Sequence, residues 1–334
     1  MKEIIYAIFL SFFLCGLCGN AEAKKKKEVK KAIKREVQTP YDKLFKGKKA
    51  FTVNGLMKMH LMAGKVYAEF PIELLNRDLA LTSSIEDISD NGEGVVGQFA
   101  GRVNQFRFTL QDSMLQARLV RRYGVKNTGM GKNADQIIER SNTPGIFQSY
   151  KILAYTPDKK AVVVDMTELF LESSRLTNPF PSYAGNSLYG FVQRIHKFQS
   201  QRSELLGICG NDNSMSVRCN LGFNVDRLVL GSFMQAKDVP VSVTVNKILM
   251  LLPEDPMRPR LADSRIGVNA IIQTELPDVC QGIKTYYITK RWRIEPVDEI
   301  RYKQGEMVDV KKPIVFYIDT LMPDSWIKYV KAGA

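Results

Sequence analysis

The chain has 334 residues, 45% of them hydrophobic and 25% charged, with a formal net charge of +13 at pH 7. That composition excludes a disordered or low-complexity chain, and the length suffices for one large or two ordinary domains around a sizeable core. The whole sequence contains two histidines, too few for a His-cluster zinc site, while the basic balance raises the question of a polyanionic partner.

Residues 1–23 read as a secretory signal peptide. Lys2 supplies the positive start, Ile4 to Leu17 the apolar run, and Ala21-Glu22-Ala23 the cleavage pattern. The run is short for a membrane span, so the chain is expected to be exported to the periplasm, the cell envelope or the medium. Eight Lys/Arg then fall between Lys24 and Arg35, offset only by Glu28. This arm reads either as a solvated tether or as a site for an anionic envelope surface, such as lipid headgroups or lipopolysaccharide. No aromatic residue interrupts it, so base stacking has no platform and no specific nucleic acid is expected.

Folded structure is expected from Pro40-Tyr41-Asp42 onward. Ala50–Val53 and Leu56–Leu61 are β-type runs, and Ala63-Gly64-Lys65 reads as a hairpin turn into Val66–Phe70. Leu79–Ile88 predicts a strand, followed by a Gly-rich connection from Gly92 to Gly97. Val103–Leu110 and Met114–Val120 predict a hairpin about Asp112-Ser113. Asn133–Arg140 predicts a short helix. Ile146–Tyr155 and Ala161–Met166 read as strands about Pro157-Asp158-Lys159-Lys160, and Thr167 as the cap of a helix over Glu168–Ser174. Leu176–Asn186 predicts a loop, and His196 falls on a predicted helix face. Val239–Leu252, Thr285–Ile294 and Pro313–Ile318 read as strands, and Pro323-Asp324-Ser325-Trp326 opens a last helix. The expected fold class is mainly β, a β-rich α+β with antiparallel sheets and a few short helices.

Catalytic motifs are missing from this sequence. His60 and His196 have no partner at zinc-ligand spacing. No Gly-x-Ser-x-Gly occurs. Gly129-Met130-Gly131-Lys132-Asn133 departs from a phosphate loop, because Asn133 stands where a Ser or Thr binds magnesium. Cys15 and Cys18 lie within the signal peptide. Cys209 and Cys219 flank the turn-rich Gly210–Ser214 and are a candidate disulfide in an oxidising compartment, which leaves Cys280 over.

The string Met250-Leu251-Leu252-Pro253-Glu254-Asp255-Pro256-Met257-Arg258-Pro259-Arg260-Leu261-Ala262-Asp263-Ser264-Arg265-Ile266-Gly267 resembles a segment of the large secreted zinc-dependent metalloproteases of Bacteroides-type bacteria. In that family two domains of unknown function precede a metzincin-like catalytic domain. Tyr287–Pro296 resembles the family's next landmark, Lys311–Asp319 the first strand of the catalytic region, and Pro323–Trp326 the helix after it. Tyr41–Leu44, Lys65–Phe70 and Leu74–Asp78 resemble the small first domain, and Ala161–Leu169 a strand–helix step of the second.

The resemblance implies a signal peptide (1–23), the Lys-rich arm (24–39), a small first domain (40–90), a second β-rich domain (91–296) and the start of a catalytic-type domain (297–334). The zinc motif of the family, His-Glu-x-x-His-x-x-Gly-x-x-His, would lie beyond Ala334. No catalytic or metal-binding residue carries over, and zinc is expected only in the missing catalytic domain. The implied role is scaffolding or docking toward a separate catalytic domain or a protein substrate, or one half of a split metallopeptidase. Arg258, Arg260 and Arg265, with Glu254 and Asp263 nearby, form either a docking cluster or an internal ion-pair network. Pro277-Asp278-Val279-Cys280 resembles a prodomain segment that blocks a catalytic zinc.

Overall fold

The computed structural model describes residues 38–100, 103–120, 125–127, 140–173, 177–180, 184–187, 190–230, 235–276 and 284–333. The signal peptide, the Lys24–Arg35 arm, the Gly129–Asn133 loop, residues 133–139 of the expected helix, and Cys280 lie outside them. The chain divides into two compact units, Met1–Val120 with Gly145–Leu252, and Arg121–Pro144 with Pro253–Ala334.

The first unit opens with helix α1 (Pro40–Phe45). A capping box starts it: the Asp42 N–H donates to the Thr39 hydroxyl (3.1 Å), and the Thr39 N–H donates back to the Asp42 carboxylate (3.0 Å). Strands β1 (Phe51–Val53), β2 (Lys58–Met62), β3 (Lys65–Pro71), β4 (Asp78–Ile88), β5 (Asn104–Gln111) and β6 (Met114–Leu119) follow. After β7 (Val125–Asn127), which belongs to the second unit, come β8 (Gly145–Tyr155), β9 (Ala161–Asp165), helix α2 (Thr167–Leu171), β10 (Ala184–Ser187), β11 (Gly190–Asn211), β12 (Ser214–Leu230) and β13 (Gln235–Leu251). All strands but β7 join one antiparallel sheet in the order β1-β2-β3-β9-β8-β6-β5-β4-β13-β12-β11-β10. In this order β4, from the expected segment 40–90, lies between β5 and β13 of the expected segment 91–296.

Several expected elements take another form. His196 lies on the long strand β11, not on a helix, and β10 begins inside the expected 176–186 loop. Helix α2 is shorter than predicted and Thr167 does not cap it; Met166 holds the cap position. The Thr167 hydroxyl donates instead to Asp165 and accepts the Val66 N–H (2.9 Å), tying the helix start to β3. The β2–β3 turn is as expected: Ala63 (φ 49°) and Gly64 (φ 70°) both adopt the left-handed conformation that matches hairpin twist.

The large sheet is nearly barrel-shaped. Strands of 22 and 17 residues far exceed the usual five or six. Register shifts between Gln199 and Glu204, Leu205 and Gly207, and Val225 and Arg227 add the twist that lets so long a ribbon coil. The roll brings the β1–β2 connection onto the β11–β12 hairpin, where the Leu56 N–H donates to the Asn211 carbonyl (2.7 Å). Gly55 permits that approach, because a Cβ there would stand 2.8 Å from the Asn211 oxygen.

Alternation builds the core. On β12, Met215, Val217, Cys219, Leu221 and Phe223 point inward, facing Leu249, Lys247, Val245, Val243 and Val241 of β13 in register. Phe70 and Phe108 meet at 4.8 Å between ring centroids in the main cluster. Helix α2 contributes buried Leu169 and Phe170 to that cluster.

The second unit holds the sheet β15-β14-β7, built from β14 (Ala270–Leu276) and β15 (Lys284–Thr289), antiparallel, with β7 parallel to β14. The β14–β7 pair is parallel, and the other described ladders are antiparallel, in keeping with the expected mainly antiparallel β fold. Helices α3 (Glu299–Lys303) and α4 (Asp324–Gly333) follow. Asp298 caps α3, its carboxylate accepting the Ile300 and Arg301 N–H groups. Pro313–Ile318, expected as a strand, joins no ladder among the described residues.

Candidate functional site

No described residue from Pro253 to Gly333 is buried. The segment is nonetheless rich in large apolar side chains: Ile271, Tyr287, Trp292, Phe316, Tyr317 and Trp326 are all exposed, Tyr317 at 93%. On α4, Trp326, Tyr329 and Val330 recur at helical spacing and share one face. Single exposed apolar residues are ordinary, but here they recur along a stretch in which no described residue is buried, so together they form a large exposed apolar surface.

The predicted cluster lies within this stretch. Asp263 pairs with Arg265 (2.6 Å), which holds the Asp263 carboxyl below its usual range. The Arg258 carbonyl accepts from the Arg291 guanidinium (2.8 Å), and the Arg260 carbonyl from the Thr289 N–H (2.9 Å), so both contribute backbone. Their side chains are exposed, as is Glu254. The predicted disulfide is also not formed: Cys209 and Cys219 are both free, one exposed and one buried. The β11–β12 register sets Ser216 opposite Cys209 and Leu205 opposite Cys219, so the hairpin keeps them apart.

In the first unit, each of the two histidines serves a buried carboxylate. His60 Nε2 lies 3.0 Å from Glu69, which also accepts from the Tyr41 hydroxyl (2.6 Å) and has Lys58 at 3.3 Å. Burial pushes the Glu69 carboxyl up, but the hydrogen bonds from His60 and Tyr41 and the Lys58 charge outweigh it and leave the group below its usual range. Burial and the same carboxylate push the Tyr41 phenol up. His196 Nε2 lies 2.7 Å from Glu93, whose side chain is wholly buried and also accepts from Arg227 (2.8 Å). Arg227 further pairs with Asp90, and the Phe180 ring stacks on His196 at 4.2 Å. This second set fastens the Gly-rich 90–97 loop to β11 and β12.

The third buried polar set surrounds Lys247. Its amine donates to the Glu172 carbonyl at the end of α2 (3.0 Å), where a cation suits the exposed helix carbonyls. Burial pulls the Lys247 amine down to about 8 and pushes the neighbouring Cys219 thiol up to about 11. Among the described residues, no three or more His, Cys, Asp or Glu side chains are placed to hold a metal ion.

Two family profiles match the chain. Residues 38–88 match the domain of unknown function DUF5118, and residues 97–297 match the domain of unknown function DUF5117. The chain belongs to the DUF5117 family. Neither the curated proteins nor the solved structures yield a match to it.

The DUF5117 segment spans both compact units, running from the 90–97 loop's end through β15. It includes the Glu254–Arg265 stretch, whereas Pro313–Ile318 and α4 lie beyond it. Sequence reading missed the three buried polar sets. The signal was present for one of them: Lys247 interrupts the inward series Val241, Val243, Val245, Leu249, where an apolar residue is expected.

Proposed function

We propose that this chain is the portion of a secreted, zinc metalloprotease-like system that carries no proteolytic centre, a scaffold whose second unit docks on a zinc-dependent catalytic domain. One observation carries the reading: from Pro253 to Gly333 no described residue is buried, although aromatic and aliphatic side chains abound. Covering each such side chain is worth roughly 1.5–3 kcal/mol, so a handful of them can offset the cost of association. The resemblance of Lys311–Asp319 and Pro323–Trp326 to the opening of a metzincin-like catalytic region supplies the partner's class. That partner would bring the zinc ligands, and this chain the docking surface.

The test mixes the exported chain with a catalytic domain from the same genome that carries the His-Glu-x-x-His-x-x-Gly-x-x-His motif. Hydrogen exchange and casein cleavage are read, with and without chelator. The expected result is new amide protection confined to residues 253–333, and chelator-sensitive cleavage only in the mixture. Exchange that is unchanged on mixing overturns docking. Protection without cleavage keeps the scaffold and removes the split-protease half of the reading.

A further inference from the structure

Three side chains around β1 and β2 have the connectivity of a nucleophile relay. Thr52 on β1 stands directly across from His60 on β2, and its hydroxyl lies 2.8 Å from His60 Nδ1. On the other side of the ring, His60 Nε2 lies 3.0 Å from Glu69. The pairing register explains the convergence. Glu69 faces Lys58 across β2–β3, two residues along from His60, so all three side chains share one face of the sheet.

The carboxylate decides the tautomer. Glu69 is held ionised by Tyr41 and Lys58 and can only accept. In a neutral imidazole the proton then belongs on Nε2, which leaves the lone pair of Nδ1 facing the Thr52 hydroxyl. His60 and Glu69 are buried, at 6% exposure each, whereas Thr52 is exposed. The Phe45 ring covers the imidazole at 4.4 Å. Base and orienting acid are thus shielded while the hydroxyl faces solvent, the asymmetry that a nucleophile, base and orienter require. β1 is the outermost strand of its sheet, and an edge strand presents free backbone groups to an incoming chain.

We propose that Thr52 is a nucleophile that accepts acyl groups from esters, with His60 as its general base and Glu69 as the positioning residue. Thr52 Oγ1 bonds to the ester carbonyl carbon and its proton passes to His60 Nδ1. Collapse of the adduct breaks the bond to the alcohol oxygen, which leaves with that proton. Water, deprotonated by the same nitrogen, then cleaves the acyl-threonine and restores the hydroxyl, giving a carboxylic acid. This activity is independent of the docking surface and uses no metal.

An alkyl fluorophosphonate tests it on the whole exported chain, since the reagent forms a P–O bond to an activated hydroxyl and expels fluoride. Peptide mapping by mass spectrometry should place the adduct on Thr52 in preference to the other exposed hydroxyls. Labelling should fall about a hundredfold in His60→Gln, the usual contribution of a general base. Thr52→Ser, which leaves the buried groups in place, should still be labelled at residue 52 and serves if His60→Gln does not fold. An adduct distributed over surface hydroxyls, or no adduct at residue 52 in either the native chain or Thr52→Ser, overturns the proposal and leaves the three residues as a clamp across β1, β2 and β3.

Discussion

The two units use similar residues to opposite ends. Every buried hydrophobic residue among those described lies between Leu56 and Leu249, within the first unit. The second has Ile271-Ile272, Tyr286-Tyr287 and Ile314–Ile318, sequences no less apolar, and none of them is buried. What differs is the second layer. In the first unit a rolled sheet faces itself and α2 packs on it; in the second, a three-stranded sheet has no described partner layer of its own. Apolar content therefore measures what a segment can bury, while topology decides whether it does so within its own fold.

The sharpest way to break this comparison is to remove one interior ring. Phe108 is fully buried against Phe70, so Phe108→Ala should cost about 3–5 kcal/mol. Urea unfolding followed by the far-ultraviolet signal measures it. A loss below about 1 kcal/mol would mean that the rolled sheet tolerates a cavity and is not the stable body described here.

Lys247 gives the next effect, and it has a pH signature. Its folded pKa of about 8 lies below the ordinary 10.5, so the unfolded chain binds more protons between those values. The Lys247 contribution to stability should rise as pH climbs from about 8 toward 10.5, by on the order of 3 kcal/mol. Cys219 opposes this from about pH 9 upward, because its thiol, raised to about 11, stays protonated in the fold while the unfolded thiol ionises. Lys247→Met keeps the volume, abolishes the rise and leaves the fall. Equal pH slopes in the two proteins would show that the amine is not held in a low-dielectric interior.

A smaller effect tests closure of the roll. Gly55→Ala places a methyl 2.8 Å from the Asn211 oxygen and 2.9 Å from its nitrogen, both backbone. The β1–β2 connection and the β11–β12 hairpin must then move apart, at about 1–3 kcal/mol. Exchange of the Leu56 amide, which donates to Asn211, should speed up before other amides do. Unchanged Leu56 exchange would place the contact outside the stable fold.

What the sequence disclosed follows local chemistry. The β2–β3 and β5–β6 hairpins were legible because clean alternation flanks a two-residue turn. The β11–β12 hairpin was not: Gly207, Gly210, Asn220 and Gly222 punctuate it and read as breakers. Gly222 is where Arg202 closes over the strand, its Cβ 2.8 Å from the position a side chain would occupy, a contact between residues 20 apart. Thr167 carried a cap signal that a long-range bond to Val66 overrode. The buried Glu69 and Glu93 were invisible for the same reason, since their partners come from other strands or loops. The apolar Pro313–Ile318 run was recognised, but local sequence cannot say whether a partner strand is present.

The smallest expected effect sharpens the comparison most. Tyr317 and Phe316 are 93% and 62% exposed, so Tyr317→Ser with Phe316→Ser removes no interior contact. Stability of the isolated chain should change by less than about 0.5 kcal/mol, as for ordinary surface positions, in contrast to Phe108→Ala. On docking, the same pair should weaken association sharply, because aromatic anchors dominate interfaces. Unfolding midpoints and titration calorimetry with the catalytic domain separate the two readouts. A loss of more than about 1 kcal/mol in the isolated chain would mean that the second unit already buries these rings in solution, and that its open surface is closed within the chain itself.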